Sequence, residues 1–144
     1  MTLPLVAKRI AELSIAAARG LAIEVLPETT STNAELRARL SARASGLQSP
    51  LLMAAEIQTA GRGRAGRSWH SAPGDSLCFS VAWHFRGPLA RLSGLSLAVG
   101  VAVAEVLRAR GCAVQLKWPN DLLLESAKLG GILVETAPQS ATAG

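Results

Sequence analysis

Gly61 to Arg67 reads Gly-Arg-Gly-Arg-Ala-Gly-Arg, three glycines and three arginines in seven positions. Arginine brings a permanent, fork-shaped set of donors that matches carboxylate and phosphate oxygens. Glycine lets a backbone come close to a ligand and turn where other residues cannot. The stretch follows the apolar run Leu51 to Ala55 and precedes a turn signal at Pro73-Gly74. It therefore reads as an ordered anion-binding loop between two strands. Three further clusters could do chemistry. Ser31-Thr32-Asn33 is a helix cap by type, and a helix start offers unpaired N–H groups and small polar side chains to a ligand. Lys117-Trp118-Pro119-Asn120-Asp121 gathers a cation, an amide and a carboxylate in a turn-prone segment, and its residues alone divide evenly between turn and site. Lys128-Leu129-Gly130-Gly131 pairs a lone cation with two glycines, where a plain hairpin is the default.

These clusters need elements to position them. Leu5 to Arg19 has helical spacing, with Leu5, Ile10, Leu13 and Ala17 on one stripe and Gly20 as a stop. Ala22 to Leu26 is a short strand ending at Pro27. A second helix opens in the Thr29–Asn33 run, where Thr32 and Glu35 have capping-box spacing, and Gly46 is its stop. Leu51 to Ile57 is the next strand. Ser76 to Phe85 alternates, with Leu77, Phe79, Val81, Trp83 and Phe85 on one face and Ser76, Cys78, Ser80 and Ala82 on the other. The large groups fit a core, and the small ones leave room for a ligand. Pro88 to Arg110 is a long helix weakened by Gly94 and Gly100 and ended by Gly111. Val114 to Trp118, Leu122 to Leu124 and Gly131 to Val134 complete the strands, and Thr136 onward is an unstructured tail. The class is α+β, or mixed α/β, with helices on one face of the sheet and a site on the other.

The chain has 144 residues, 49% of them hydrophobic, and a net charge of +5. One domain with a real core is expected and intrinsic disorder is excluded. Cys78 and Cys112 stand far apart with no metal-ligand spacing, which favours reduced thiols over a disulfide or zinc site. The start carries Lys8, Arg9 and Glu12 and lacks signal-peptide character. The apolar stretch from Leu95 to Leu107 is short for a membrane span and holds Glu105. A cytoplasmic protein without membrane contact is expected. Nucleic-acid binding is disfavoured, because neither a DNA-binding helix nor stacking aromatics accompany the arginines.

In order and spacing, Ser31-Thr32-Asn33, Gln58 through Arg67, Lys117 to Leu122 and Lys128 to Glu135 strongly resemble the catalytic domain of biotin protein ligases, within the biotin/lipoate ligase superfamily. The resemblance implies an AMP-forming carbon–nitrogen ligase. Biotin and ATP give biotinyl-5′-AMP, and a lysine of a biotin carboxyl carrier protein, the acetyl-CoA carboxylase subunit, then takes the biotin. Ser31, Thr32 and Asn33 are expected on the biotin head group. Gln58, Arg62, Gly63 and Arg64 are expected to close over biotin and the adenylate phosphate. Lys128 is expected between the biotin carboxylate and the α-phosphate, with Lys117 as a phosphate contact, and Lys128, Arg64 and Lys117 form the catalytic set. Gly61, Arg67, Trp69 (an adenine wall) and Asn120 extend the ATP site. Ser80, Gly131 and Leu133 are candidates for the biotin pocket wall. Mg2+ is expected, with Asp121 as the candidate carboxylate beside it.

The resemblance spans about residues 21 to 136 of this chain. It implies a helical segment over 1–20, a C-terminally truncated catalytic domain over 21–136 and a disordered tail over 137–144. The family's domain continues into a strand with a Gly-Ile-Asn-type motif, further helices and a small barrel, so an exposed sheet edge is expected. No winged-helix DNA-binding domain fits the first twenty residues, and a homodimer stays open. The alternatives are a catalytically inactive biotin-binding fragment, a lipoate-ligase-like protein and a basic nucleic-acid-binding module.

Overall fold

The structure is a computed structural model that describes residues 4–15, 18, 20–42 and 50–136. Its elements are α1 (Ala7–Leu13), β1 (Ala22–Thr29), α2 (Thr32–Ala42), β2 (Leu51–Gln58), β3 (Gly61–Arg62), β4 (Ser68–Trp69), β5 (Cys78–Ala82), α3 (Leu95–Ala109), β6 (Gln115–Lys117), β7 (Asp121–Leu124) and β8 (Ala127–Gly131). They form a mixed α/β chain in two compact units. Gly63–Ala65 and Arg86–Glu135 make the second unit, and the rest makes the first. In place of one layered sheet, the described residues form two three-stranded sheets and a two-stranded ladder.

In the first unit, β2 lies between β1, which is parallel to it, and β5, which is antiparallel. A parallel pair needs a crossover, and α2 supplies it. The middle strand is the most apolar and the most buried, with Met53 and Ala55 fully enclosed. Leu36 of α2 packs onto Leu51, Met53 and Ala82, flanked by Leu26 and Leu40. Arg39 joins helix to strand through Glu35 (2.9 Å) and Glu24. Those two hydrogen bonds, Glu35's first, raise its pKa above the ordinary arginine value.

Several expectations change here. α1 is shorter than Leu5–Arg19 and buries none of its residues, with Leu13 well exposed; Ala17 lies outside the described residues. β1 runs through Pro27 to Thr29, which an edge strand allows because no ladder bond needs the missing N–H. Gly46 and the tail over 137–144 also fall outside the described residues. β5 turns its large side chains the other way: Leu77, Phe79, Val81, Trp83 and Phe85 are 46–65% exposed, while Cys78 and Ala82 are buried. Alternation identifies two faces, but it does not say which one is covered.

In the second unit, the helix expected over Pro88–Arg110 is split. A 3-10 turn over Leu89–Leu92 ends before Gly94, whose φ of +80° starts α3 from a left-handed residue. Among the described residues, Leu89–Ala109 is long and apolar enough to cross a membrane by length and composition, with mean hydropathy 1.6. That is a longer run than Leu95–Leu107. Here α3 buries Ala104 against Val114 and Leu122, with Leu107 and Ile132 beside them. β6, β7 and β8 form an antiparallel meander. β8 begins at Ala127, so Lys128 and both glycines lie inside the strand, and it ends at Gly131 where the sequence pattern starts one. Cys78 and Cys112 are both free thiols.

Candidate functional site

The parallel register places the end of β1 beside the end of β2, with Thr29 opposite Gln58. The chain then enters α2, so Ser31, Thr32 and Asn33 stand next to Gln58. The Gln58 Oε1 accepts from the Thr32 backbone N–H at 2.8 Å and from the Thr32 hydroxyl at 3.0 Å. Thr32 Oγ1 lies 2.7 Å from Ser80 Oγ on β5, and Ser80 in turn donates to Asn33 Oδ1. Ser31 and Thr32 are buried, at 4% and 3% exposure.

The capping-box expectation is therefore wrong. Thr32 is the first helical residue, its hydroxyl serves Gln58 and Ser80, and Glu35 binds Arg39. The orphan N–H at the helix start is satisfied by a side chain from another strand. Thr32 and Ser80 have two hydroxyl protons for three contacts, so the network can shift them to meet an added donor or acceptor.

A cavity of about 490 Å3 opens beside this network, lined by Thr30, Ser31, Gln58, Gly61, Arg62, Arg67, Trp69, His70 and Ser71 among others. Gly61 pairs with Trp69, and a Cβ there would fall 2.5 Å from the Trp69 carbonyl oxygen. Glycine is required by that approach. His70, absent from the expected site residues, sits in this wall together with Thr30 and Ser71. Its place directly after Trp69, an expected adenine wall, is the signal that could have drawn attention to it.

The remaining predicted residues belong to the second unit. Gly63 and Arg64 are in its short inserted tripeptide. Arg64 Nη1 donates to Asn120 Oδ1 at 3.0 Å. Lys117, exposed at the end of β6, pairs across the ladder with Asp121. The β7–β8 ladder has a bulge that leaves Leu129 without a partner, so Asp121 faces Gly131 and Leu123 faces Lys128. Paired residues share a face, and alternate residues do too. Asp121 and Lys128 thus project from the same side, and Lys128 Nζ donates to Asp121 Oδ1 at 2.7 Å. The opposite side carries Leu122 into the core. Leu133 follows β8 and is partly buried.

Asp121 does not fit a protein-held magnesium. Its carboxylate is bound to an ammonium, and among the described residues no three His, Cys, Asp or Glu side chains gather as a metal site.

The chain belongs to the biotin/lipoate A/B protein ligase family, which matches residues 23–144. It is 48% identical over 118 residues to the bifunctional ligase/repressor BirA of Escherichia coli K12, covering 81% of this chain and 35% of that protein. It is 40% identical over 121 residues to the biotin–[acetyl-CoA-carboxylase] ligase of Mycobacterium tuberculosis H37Rv, covering 80% and 44%. Among solved structures it is similar to the Helicobacter pylori biotin acetyl coenzyme A carboxylase synthetase with bound biotinylated ATP. That likeness has a TM-score of 0.68 at 31% identity and covers 82% of this chain and 56% of that one. The Aquifex aeolicus biotin protein ligase in complex with biotin and ATP matches with a TM-score of 0.64 at 32% identity, covering 82% and 48%. The chain thus spans between a third and a little over half of these relatives.

Proposed function

We propose that this chain carries the biotin-activating site of a biotin protein ligase. The observation that carries the reading is the network of buried Thr32 with half-buried Gln58 and Ser80, drawn from three elements, whose Gln58 also lines the cavity with Arg62 and Arg67. A neutral ureido ring needs both donors and acceptors, and that network offers both. A carboxylate and a triphosphate repel each other, so cations must neutralise them while they are held in line.

In the proposed reaction a biotin carboxylate oxygen attacks the α-phosphorus of ATP and the bond to pyrophosphate breaks. A carrier lysine amine then attacks the acyl carbon, AMP leaves, and the nitrogen loses a proton. Ser31, Thr32, Asn33, Gln58 and Ser80 hold the head group, and Trp69 flanks adenine. Arg62, Arg64, Arg67 and Lys117 take phosphate oxygens, and Lys128 stabilises charge developing at the carboxylate and α-phosphate. Gly131 and Leu133 complete the biotin wall. Magnesium enters as the counterion of the ATP phosphates, which suits a cation that keeps most of its water. The proposed setting is the cytoplasm, with α3 a helix of the ligase fold. Only the ligase half of the Escherichia coli relative's name is carried over.

Incubation with biotin, ATP and a biotin carboxyl carrier domain tests this. Pyrophosphate release and biotinylated carrier are expected. Biotin binding without either product would leave a binding fragment, and salt-sensitive nucleic-acid binding indifferent to biotin would support the basic module. Sedimentation of the chain with and without biotin and ATP decides between monomer and homodimer.

A further inference from the structure

Asn120 closes the turn between β6 and β7, and both ends of its side-chain amide are engaged. Nδ2 donates to the Ile132 carbonyl at 3.1 Å, and Oδ1 accepts from Arg64 Nη1 at 3.0 Å. Arginine only donates and a carbonyl only accepts, so this amide has a single orientation. The Ile132 N–H bonds back to the Asn120 carbonyl at 2.9 Å. Asn120 is thereby gripped through main chain and side chain by the segment that follows β8. Asn120 is partly buried, whereas Arg64 is exposed. A long exposed arginine samples many rotamers, and a fixed acceptor selects among them at the use of one of its five donors.

We propose that Asn120 is a positioning residue for Arg64, aiming the guanidinium at the phosphate of the acyl-adenylate, and that it does not read adenine itself. The proposal rests on the ligase reading for its ligand, but the Asn120–Arg64 coupling can be tested without one.

Trypsin cuts after an arginine only when the side chain leaves its partners. Limited trypsin digestion of the intact chain, read by mass spectrometry, therefore reports on Arg64 directly. Asn120→Ala is expected to raise cleavage after Arg64, relative to Arg62 and Arg67, by about three- to tenfold, the scale of losing one solvent-exposed hydrogen bond. An unchanged ratio overturns the proposal. Asn120→Asp keeps an acceptor and adds charge, so its cleavage after Arg64 should stay low and rise with salt. The absence of that salt response overturns the proposal even if the alanine variant fails to fold.

With biotinyl-5′-AMP bound, Asn120→Ala and Arg64→Ala should speed its release by similar factors, and the double variant should be no faster than Arg64→Ala alone. Additive effects would mean that Asn120 touches the adenylate itself, which sinks the proposal. If the unaltered chain retains no biotinyl-5′-AMP, the ligase reading fails, and digestion still decides the Asn120–Arg64 coupling.

Discussion

The polar groups of the two units are organised in opposite ways. Around buried Thr32, half-buried neutral side chains from α2, β2 and β5 are hydrogen-bonded to one another. Around Lys128, charged side chains stand on one hairpin, with Lys128 45% and Asp121 23% exposed. A recessed neutral network contributes to folding, because a partner lost leaves another unsatisfied. An exposed ion pair contributes little to folding. The difference teaches which residues can be removed without unfolding the chain.

The strongest break in that comparison comes from Lys128→Ala. It should slow biotinyl-5′-AMP formation by about 10²- to 10³-fold, the scale of losing one preorganised stabiliser of developing charge, while biotin affinity changes much less. Pyrophosphate-release kinetics beside biotin titration measure both. Equal losses would assign Lys128 to ground-state binding. Thr32→Val comes next, keeping the shape and deleting the hydroxyl that serves Gln58 and Ser80. It should cost about 1–2 kcal/mol of stability in denaturant titration and weaken biotin binding as well. A Thr32→Val protein as stable as the parent would remove the distinction between the two regions. The smallest effect is that of Asp121→Asn, which should change stability by less than about 1 kcal/mol, and only at low salt. A larger, salt-independent loss would show that the hairpin pair is structural after all.

Much of the site was legible because its motifs are local. Ser31-Thr32-Asn33, the arginine-glycine loop and Lys128 each announce themselves by residue type. Relations between distant segments were not legible. Nothing in the chain before folding says that Gln58 supplies the acceptor for the α2 start, because that depends on the β1–β2 register. Ser80 emerged only as a small residue on an alternating strand, although it links Thr32 to Asn33. The faces of β5 were misassigned because hydrophobicity ranks residues by type and not by what covers them. Asn120 is expected in the ATP site by residue type, but its bonds to Arg64 and to the Ile132 carbonyl depend on how distant segments meet.

The unpaired Leu129 gives the β7–β8 hairpin one residue more than its ladder uses. That surplus is a spacer in which chain length can vary. Deleting Leu129 restores a regular ladder with Lys128 still opposite Leu123, so the ammonium stays on the Asp121 side. Removing Gly130 gives the same ladder but puts Leu129 opposite Leu122, where even a Cβ would lie 3.4 Å from that side chain, and removing Ala127 takes away the partner of Leu124. Adenylate formation by the three single-residue deletions should therefore survive best without Leu129, and equal loss in all three would refute the point. For this hairpin, the length of chain after the lysine matters less than whether the ladder keeps lysine and aspartate on the same side.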